Sequence, residues 1–298
     1  MASALPLDAG RMAQMQIDDR SFRRIAAIVQ GEFGIKLGDN KRCLVVSRLS
    51  RRLRELNLAD FAAYCRYLDC PAGDEERRQM RSLLTTNVTR FFREPHHFRA
   101  LTETVLPPLI ARARVGGRVR LWSAGCASGE EPYSIALSVL DLCPEAARRD
   151  IRILGTDIDP QVIHLGRTAS YDLRQAPIPR ALLAAHFTAE GSTPGRYRVN
   201  EDLRKLVTLA ELNLMEDWPM RGRFDVIFCR NVAIYFDAGT QERLWARLSA
   251  ALAPGGHLFV GHSERVTGPA ADRLLSVGLT QYRLARPAPG NDRKGEIG

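Results

Sequence analysis

The stretch Val119-Arg120-Leu121-Trp122-Ser123-Ala124-Gly125-Cys126-Ala127-Ser128-Gly129-Glu130-Glu131-Pro132 decides the fold. Residues 119–123 read as a strand, and residues 130–142 as a helix with Pro132 in its first turn, where a missing N–H costs nothing. Between them Gly125 and Gly129 allow the backbone to approach a ligand closely. A strand that runs through such a loop into a helix is where a doubly wound sheet takes a nucleotide-like ligand. The loop matches neither the dinucleotide pattern GxGxxG nor a phosphate loop ending in GK[ST]. Many strand–helix turns carry two glycines, so a purely structural turn stays open at this point.

Outward from this loop the alternation continues. Residues 151–156 and 224–229 read as strands, 160–169 and 238–252 as helices, and 257–261 and 281–285 as closing strands, with Pro254-Gly255-Gly256 ending the second helix. This grammar implies an α/β domain around a mostly parallel sheet. Residues 187–199 place Gly191, Pro194 and Gly195 between extended pieces, which predicts a small β-hairpin insertion near 186–206. The second strand ends in Gly155-Thr156-Asp157-Ile158-Asp159. A carboxylate at that tip accepts hydrogen bonds from ribose hydroxyls and disfavours a phosphate there, against NADP. Asp159, just before Pro160, is the better helix cap of the two. The apolar strand 224–229 runs directly into Arg230, Asn231 and Tyr235, again at a crevice position.

The first 90 residues have a different grammar. Phe22, Ile25 and Val29 mark one helix with Asp18 or Asp19 as cap; Val45, Leu49 and Leu53 mark a second over 42–56. A third starts near Asp60 and stops before Pro71, and a fourth runs over 74–84. Residues 85–95 break the pattern, and Phe98, Leu101 and Val105 then suggest a helix that Pro107 and Pro108 end or restart. Residues 1–15 have little pattern and are expected to fray, and the Pro/Gly/charged tail 287–298 reads as disordered.

Charge follows this division. The chain has 298 residues and a net charge of +9, nearly all of it from Arg, with Lys only at positions 36, 41, 205 and 294. Residues 1–90 hold 16 basic against 11 acidic side chains, and residues 91–298 hold 27 against 23, so the shorter part is over twice as charge-dense. Lys41, Arg48, Arg51 and Arg52 lie beside the apolar face of the second helix as a basic stripe, which is either a solvated face or a dock for an acidic partner. The six cysteines are scattered with no CxxC pair, as in a reduced cytoplasmic protein without a structural zinc site. No apolar run approaches the roughly 20 residues of a membrane span.

Thr86-Asn87-Val88-Thr89-Arg90-Phe91-Phe92-Arg93-Glu94 resembles the hallmark of the CheR-type chemotaxis receptor methyltransferases. So do Trp122-Ser123-Ala124 with Gly129-Glu130-Glu131-Pro132-Tyr133-Ser134, Asn213-Leu214, Arg230-Asn231 with Ile234-Tyr235-Phe236, and Gly261-His262-Ser263-Glu264. The resemblance spans residues 18–285. It implies a Rossmann-like methyltransferase sheet over 89–286, preceded by an all-α domain over 16–88 that recognises a receptor. It further implies methyl transfer from S-adenosylmethionine to glutamate side chains on the cytoplasmic helices of chemoreceptors, giving methyl esters and S-adenosylhomocysteine. Carried over by position, the cofactor contacts are Asn87, Thr89, Arg93, Glu130, Asp157, Asn213, Leu214, Arg230 and Asn231, with Arg93 and Tyr235 bordering the reacting methyl. The basic stripe (Arg48, Arg51, Arg52) becomes the candidate receptor-binding face, and the insertion a candidate dock for a receptor C-terminal pentapeptide. A cytoplasmic monomer without metal, nucleic acid or membrane insertion is expected.

This chemistry suits the residue types. A glutamate with a pKa near 4.3 is ionised at neutral pH, so no general base is required. His96, His97 and His262 accordingly read as caps or packing partners. A nucleic-acid methyltransferase would want a DPPY-like motif or a catalytic Pro-Cys loop, and the chain has neither. A non-catalytic cofactor sensor would not need Tyr235 and the polar crevice.

Overall fold

The computed structural model describes residues 16–191 and 193–286, so the expectations for the first 15 residues and the tail fall outside the described residues. Its contacts divide the chain into two compact units between Thr85 and Thr86.

The first unit is helical. α1 (Asp19–Phe33) is capped by Asp18, whose carboxylate accepts from the Ser21 amide at 2.7 Å, and it ends at Gly34 with φ 73°. A 3-10 turn leads into α2 (Arg42–Glu55); Asp60 caps α3 (Phe61–Leu68), and α4 (Gly73–Leu84) follows. The i, i+4 spacing of Val45, Leu49 and Leu53 puts all three in the core, along with Ile25, Val29, Phe61, Leu68 and Met80. One carboxylate joins them: Glu76 of α4 is 1% exposed. It accepts from Arg52 Nη2 at 2.7 Å, from Arg52 Nε at 3.0 and 3.1 Å, and from the Tyr64 hydroxyl at 2.9 Å. Burial and the Glu76 charge push the Tyr64 phenol up, and Glu76 holds the Arg52 guanidinium charged.

This corrects the basic stripe. Arg52 is consumed by an internal ion pair, and Arg48 donates to the carbonyls of Leu83 and Thr85 at 3.2 and 2.7 Å, closing the carboxyl end of α4. Lys41 and Arg51 point outward, and among the described residues Arg51 pairs with Glu55 on its own helix at 3.0 Å.

The second unit opens with α5 (Pro95–Ala100), a π turn (Leu101–Val105) and α6 (Leu106–Arg114). The α-helix restarts at Leu106, with Pro107 and Pro108 in the first turn of α6. The Leu106 amide reaches back five residues to the Leu101 carbonyl, and the widened turn carries the chain past the prolines. Then come β1 (Val119–Ala124), α7 (Glu130–Leu142), β2 (Ile151–Asp157), α8 (Pro160–Thr168), β3 (Ser170–Asp172), α9 (Arg180–His186), β4 (Phe187–Ala189), β5 (Arg196–Val199), α10 (Glu201–Leu206) and β6 (Val207–Glu211). The chain closes with β7 (Phe224–Cys229), α11 (Ala238–Ala251), β8 (Leu252–Val260), β9 (Leu274–Gly278) and β10 (Gln281–Leu284).

The main sheet has the order β6-β2-β1-β7-β8-β10-β9, parallel from β6 to β8 and antiparallel at β10 and β9. Alternation assigns its side chains to two faces. Leu121, Ile153, Val226, Phe228 and Phe259 meet α5 to α7, while Trp122, Ile227, Cys229, Leu258 and Val260 meet α11. Both faces are covered, which explains why these strands read as continuous apolar runs. The insertion is larger than a hairpin: β3 joins β5 and β4 in a three-stranded antiparallel sheet, so it starts at Ser170. No helix among the described residues is long and apolar enough to cross a membrane.

Removing one member of a buried ion pair strands the other. Glu76→Ala should therefore lower the unfolding free energy of the helical unit by about 3 kcal/mol in denaturant titrations. Arg51→Ala, on the exposed face, should leave the midpoint in place.

Candidate active site at the carboxyl edge of the sheet

Register brings the sequence motifs to one edge. Ala124 lies beside Thr156, Asp157 beside Glu211, Ser123 beside Phe228 and Cys229 beside Val260. Every parallel strand therefore ends level with its neighbours, and the residues that follow each strand share one crevice. The chain crosses β1 in opposite directions on its two sides, toward β2 and toward β7, which is the topological switch point of an open α/β sheet.

The glycine loop wraps around the end of β2. Gly125 and Cys126 both donate to the Thr156 carbonyl at 2.8 Å, and Ala127 donates to Asp157 Oδ2 at 2.8 Å. Gly125 has φ 82°, and a side chain there would begin 2.3 Å from Val232 Cγ2. Asp157 Oδ1 also accepts from the Asp159 amide at 3.0 Å. Burial raises the Asp157 pKa, and the amides of Asp159 and Ala127 offset part of the rise. Asp159 is the cap of α8, as its position before Pro160 implies; it also accepts from Asn87 Nδ2 at 2.8 Å, tying the 86–94 segment to the edge. Glu130, the first residue of α7, accepts from Ser128 Oγ at 2.7 Å, and burial raises its pKa.

Arg230 is the hub of the opposite wall. Its side chain is 1% exposed, with Glu131 at 3.0 Å and Glu94 at 3.3 Å, and it donates to the Arg93 carbonyl. Phe98 and Phe228 lie 5.7 and 5.8 Å from the guanidinium carbon. Burial raises the Glu131 pKa against the pull of Arg230. Burial works against the charge on Glu94 too, but there Arg230 and His262 prevail and hold it low. Glu94 further contacts His262 Nδ1 at 3.2 Å and His97 Nδ1 at 3.4 Å. Glu94, His96 and His97 bring potential metal ligands within 4.8 Å of one another. Arg230 faces the same carboxylate at 3.3 Å, and burial followed by the Arg230 charge pushes His97 down to about 3.

Backbone strain concentrates here. Phe92, Glu94, Ala127 and Asn231 have φ of 50°, 58°, 46° and 59°. Non-glycine residues in this region cost about 1–3 kcal/mol each and persist only where their surroundings over-determine them.

The structure brings Asn87, Thr89, Arg93, Glu130, Asp157, Asn213, Leu214, Arg230, Asn231 and Tyr235 onto this edge or the segment tied to it. Two assignments change. A side chain as enclosed as that of Arg230 has no surface for a cofactor, so the residue scaffolds the crevice and leaves any direct contact to its backbone. The Leu214 side chain packs in the core, and its carbonyl accepts from Arg247 at 2.6 Å. Asn213 holds its own turn, accepting from Met215 at 3.0 Å and donating to Glu216 at 2.9 Å. Arg93 is half-buried and donates to the Val88 carbonyl at 2.9 Å. Tyr235 ends a 3-10 turn after Arg230-Asn231. Sequence reasoning missed Glu94, Glu131 and Glu264 as structural charges; the only signal was their place inside the quoted motifs. A cleft of about 1210 Å³ adjoins Thr89, Phe92 and Glu130 and runs toward Tyr171 and Arg174, beside the strand tips rather than over them.

The residues present suit S-adenosylmethionine. Asp157 stands at the strand tip where a ribose diol is held, and Glu130 is a half-buried anion that gains from an ammonium partner. The family model described as "CheR methyltransferase, SAM binding domain" matches residues 87–282, and that described as "CheR methyltransferase, all-alpha domain" matches residues 20–85. A probable chemotaxis protein methyltransferase of Rhizobium etli is 48% identical over 265 residues, covering 88% of this chain and 99% of its own. Chemotaxis protein methyltransferase 2 of Pseudomonas aeruginosa is 42% identical, covering 85% of this chain and 88% of its own. The chemotaxis protein methyltransferase of Salmonella typhimurium is 39% identical, covering 92% and 93%. With this crevice, this topology and these matches along both units, the chain belongs to the CheR methyltransferase family.

Proposed function

We propose that this enzyme esterifies glutamate side chains on the cytoplasmic helices of chemoreceptors, using S-adenosylmethionine and releasing S-adenosylhomocysteine. The observation that carries the reading is the convergence of the Arg93 segment, Asp157 and the Asn231–Tyr235 turn on one edge of the sheet. When bound, S-adenosylmethionine supplies a methyl group on a sulfonium, an electrophile that an ionised carboxylate can attack without a base.

The residues here position rather than activate. Asp157 takes the ribose hydroxyls and Glu130 the amino group; Asn87, Thr89, Asn213, Asn231 and the backbone of Leu214 and Arg230 complete the cradle. Arg93 and Tyr235 border the reacting methyl. Each can hold one carboxylate oxygen of the acceptor while the other attacks. A tight guanidinium pair would also quiet the nucleophile, so Arg93 serves to orient. Outside the crevice, Arg51 with Lys41 offers a positive face to acidic receptor helices, by long-range attraction that salt screens. The insertion sheet leaves β3 and β4 as edges, either of which an extended receptor-tail peptide can lengthen. The enzyme acts as a cytoplasmic monomer.

Incubation with methyl-labelled cofactor and receptor-containing membranes should give label that base releases as methanol. N-methylation, as on a nucleic acid, would resist base, and a sensor would transfer nothing. Arg93→Ala should lower turnover at least about tenfold, the scale of a lost transition-state contact. Wild-type turnover with unchanged cofactor affinity would exclude the orienting role. Arg51→Glu should weaken receptor methylation, more so at low salt, with no change in cofactor affinity; equal loss of both would mean misfolding.

The pH dependence follows from Glu130. Its pKa is raised, so lowering the pH protonates it earlier than an ordinary glutamate and removes the anion that faces the ammonium. Cofactor affinity measured by calorimetry should therefore fall on acidification at a higher pH than an ordinary glutamate would dictate, and Glu130→Gln should be weaker but flatter over the same range.

A further inference from the structure

Glu264 has no part in the proposed methyl transfer above, yet it is 4% exposed and its carboxylate is saturated by backbone. Oε2 accepts from the amides of Gly261 at 2.6 Å and Asn231 at 2.8 Å. Oε1 accepts from those of Val232 at 2.9 Å and Ile234 at 3.2 Å. A carboxylate has about four acceptor sites, and here each receives an amide. Three of those amides belong to the segment between β7 and Tyr235, whose single 3-10 turn (Ala233–Tyr235) gives its leading amides no acceptor of its own.

We propose that Glu264 is a positioning residue for methyl transfer, holding the Asn231–Tyr235 turn in its reactive shape; this rests on the placement of Asn231 and Tyr235 in the site. Three further contacts give the clamp its leverage. Asn231 sits at φ 59°, a conformation that its amide bond to Glu264 helps to hold. Val232, the next residue clamped, packs where a Gly125 side chain would begin, so the clamp sets the gap between the turn and the glycine loop. Gly261 closes it from behind: a Cβ there would lie 2.7 Å from Glu264 Oε2 and 2.8 Å from the Asn231 amide. The hydrogen-bond pattern explains why the acid is required. An amide in place of the carboxylate would set an N–H donor against two backbone donors and release one half of the turn.

The test is a double-mutant cycle with Tyr235→Phe, reading kcat at saturating cofactor alongside the melting temperature. Glu264→Gln should lower kcat at least about tenfold in a protein that still melts cooperatively above the assay temperature, though lower than wild type, and cost only about twofold more when Tyr235→Phe is already present. Gly261→Ala, which presses on the clamp from the other side, should give the same non-additive pattern and stands in if Glu264→Gln does not fold. Wild-type kcat in Glu264→Gln, or losses that multiply in the double variants, would overturn the role of Glu264 while leaving the site intact. Full activity in Tyr235→Phe alone would overturn the site placement, and the clamp with it.

Discussion

The crevice depends on one buried guanidinium. Arg230 leaves β7 with its side chain 1% exposed, in surroundings where an unpaired cation is prohibitively costly. It is compensated by Glu131 from the first turn of α7, by Glu94, and by the Arg93 carbonyl, over an aromatic floor of Phe98 and Phe228. These partners come from two other segments, so one charge fixes the start of α7 against the tip of β7 and draws the 90–94 segment down onto both. The carbonyl of Arg93 is held by Arg230, and its guanidinium donates to the Val88 carbonyl.

The same edge gathers carboxylates under unusual conditions. Burial raises the pKa of Asp157, Glu130 and Glu131 at the ends of β2 and the start of α7. Only Glu131 has an internal cation to offset it. Glu130 and Asp157 are left with hydroxyl and amide donors, an arrangement that a cationic, diol-bearing ligand relieves. In the proposed reaction fixed acids supply binding and orientation, and methyl transfer to an ionised carboxylate asks for little else. The four left-handed non-glycine residues around the site fit this account, because rigid hydrogen bonding can sustain strain that a loose loop would release.

The helical unit puts its charge to two different uses. Arg52 and Arg48 stabilise the bundle from inside, through Glu76 and through the end of α4. Lys41 and Arg51 remain outward, so the surface available to an acidic partner is narrower than the run of arginines suggests.

Much of the architecture was legible along the chain, because periodicity and turn chemistry are local. The α7 and β7 boundaries follow from the glycine loop and an apolar run, and Asp18, Asp60 and Asp159 cap the helices they precede. Short strands escaped for the converse reason: β6 follows α10 without turn residues, β3 is three residues long, and β9 is exposed along most of its length. In the site, the motif residues could be named from sequence, but their division of labour could not. Arg230 pairs with Glu131 across 99 positions, Glu94 reaches His262 across 168, and Glu264 reaches Asn231 across 33. Residue types and spacing determined which groups could serve methyl transfer. Only tertiary closure decided which of them face the crevice and which are spent holding it open, since a buried charge must find its partner wherever the fold delivers one.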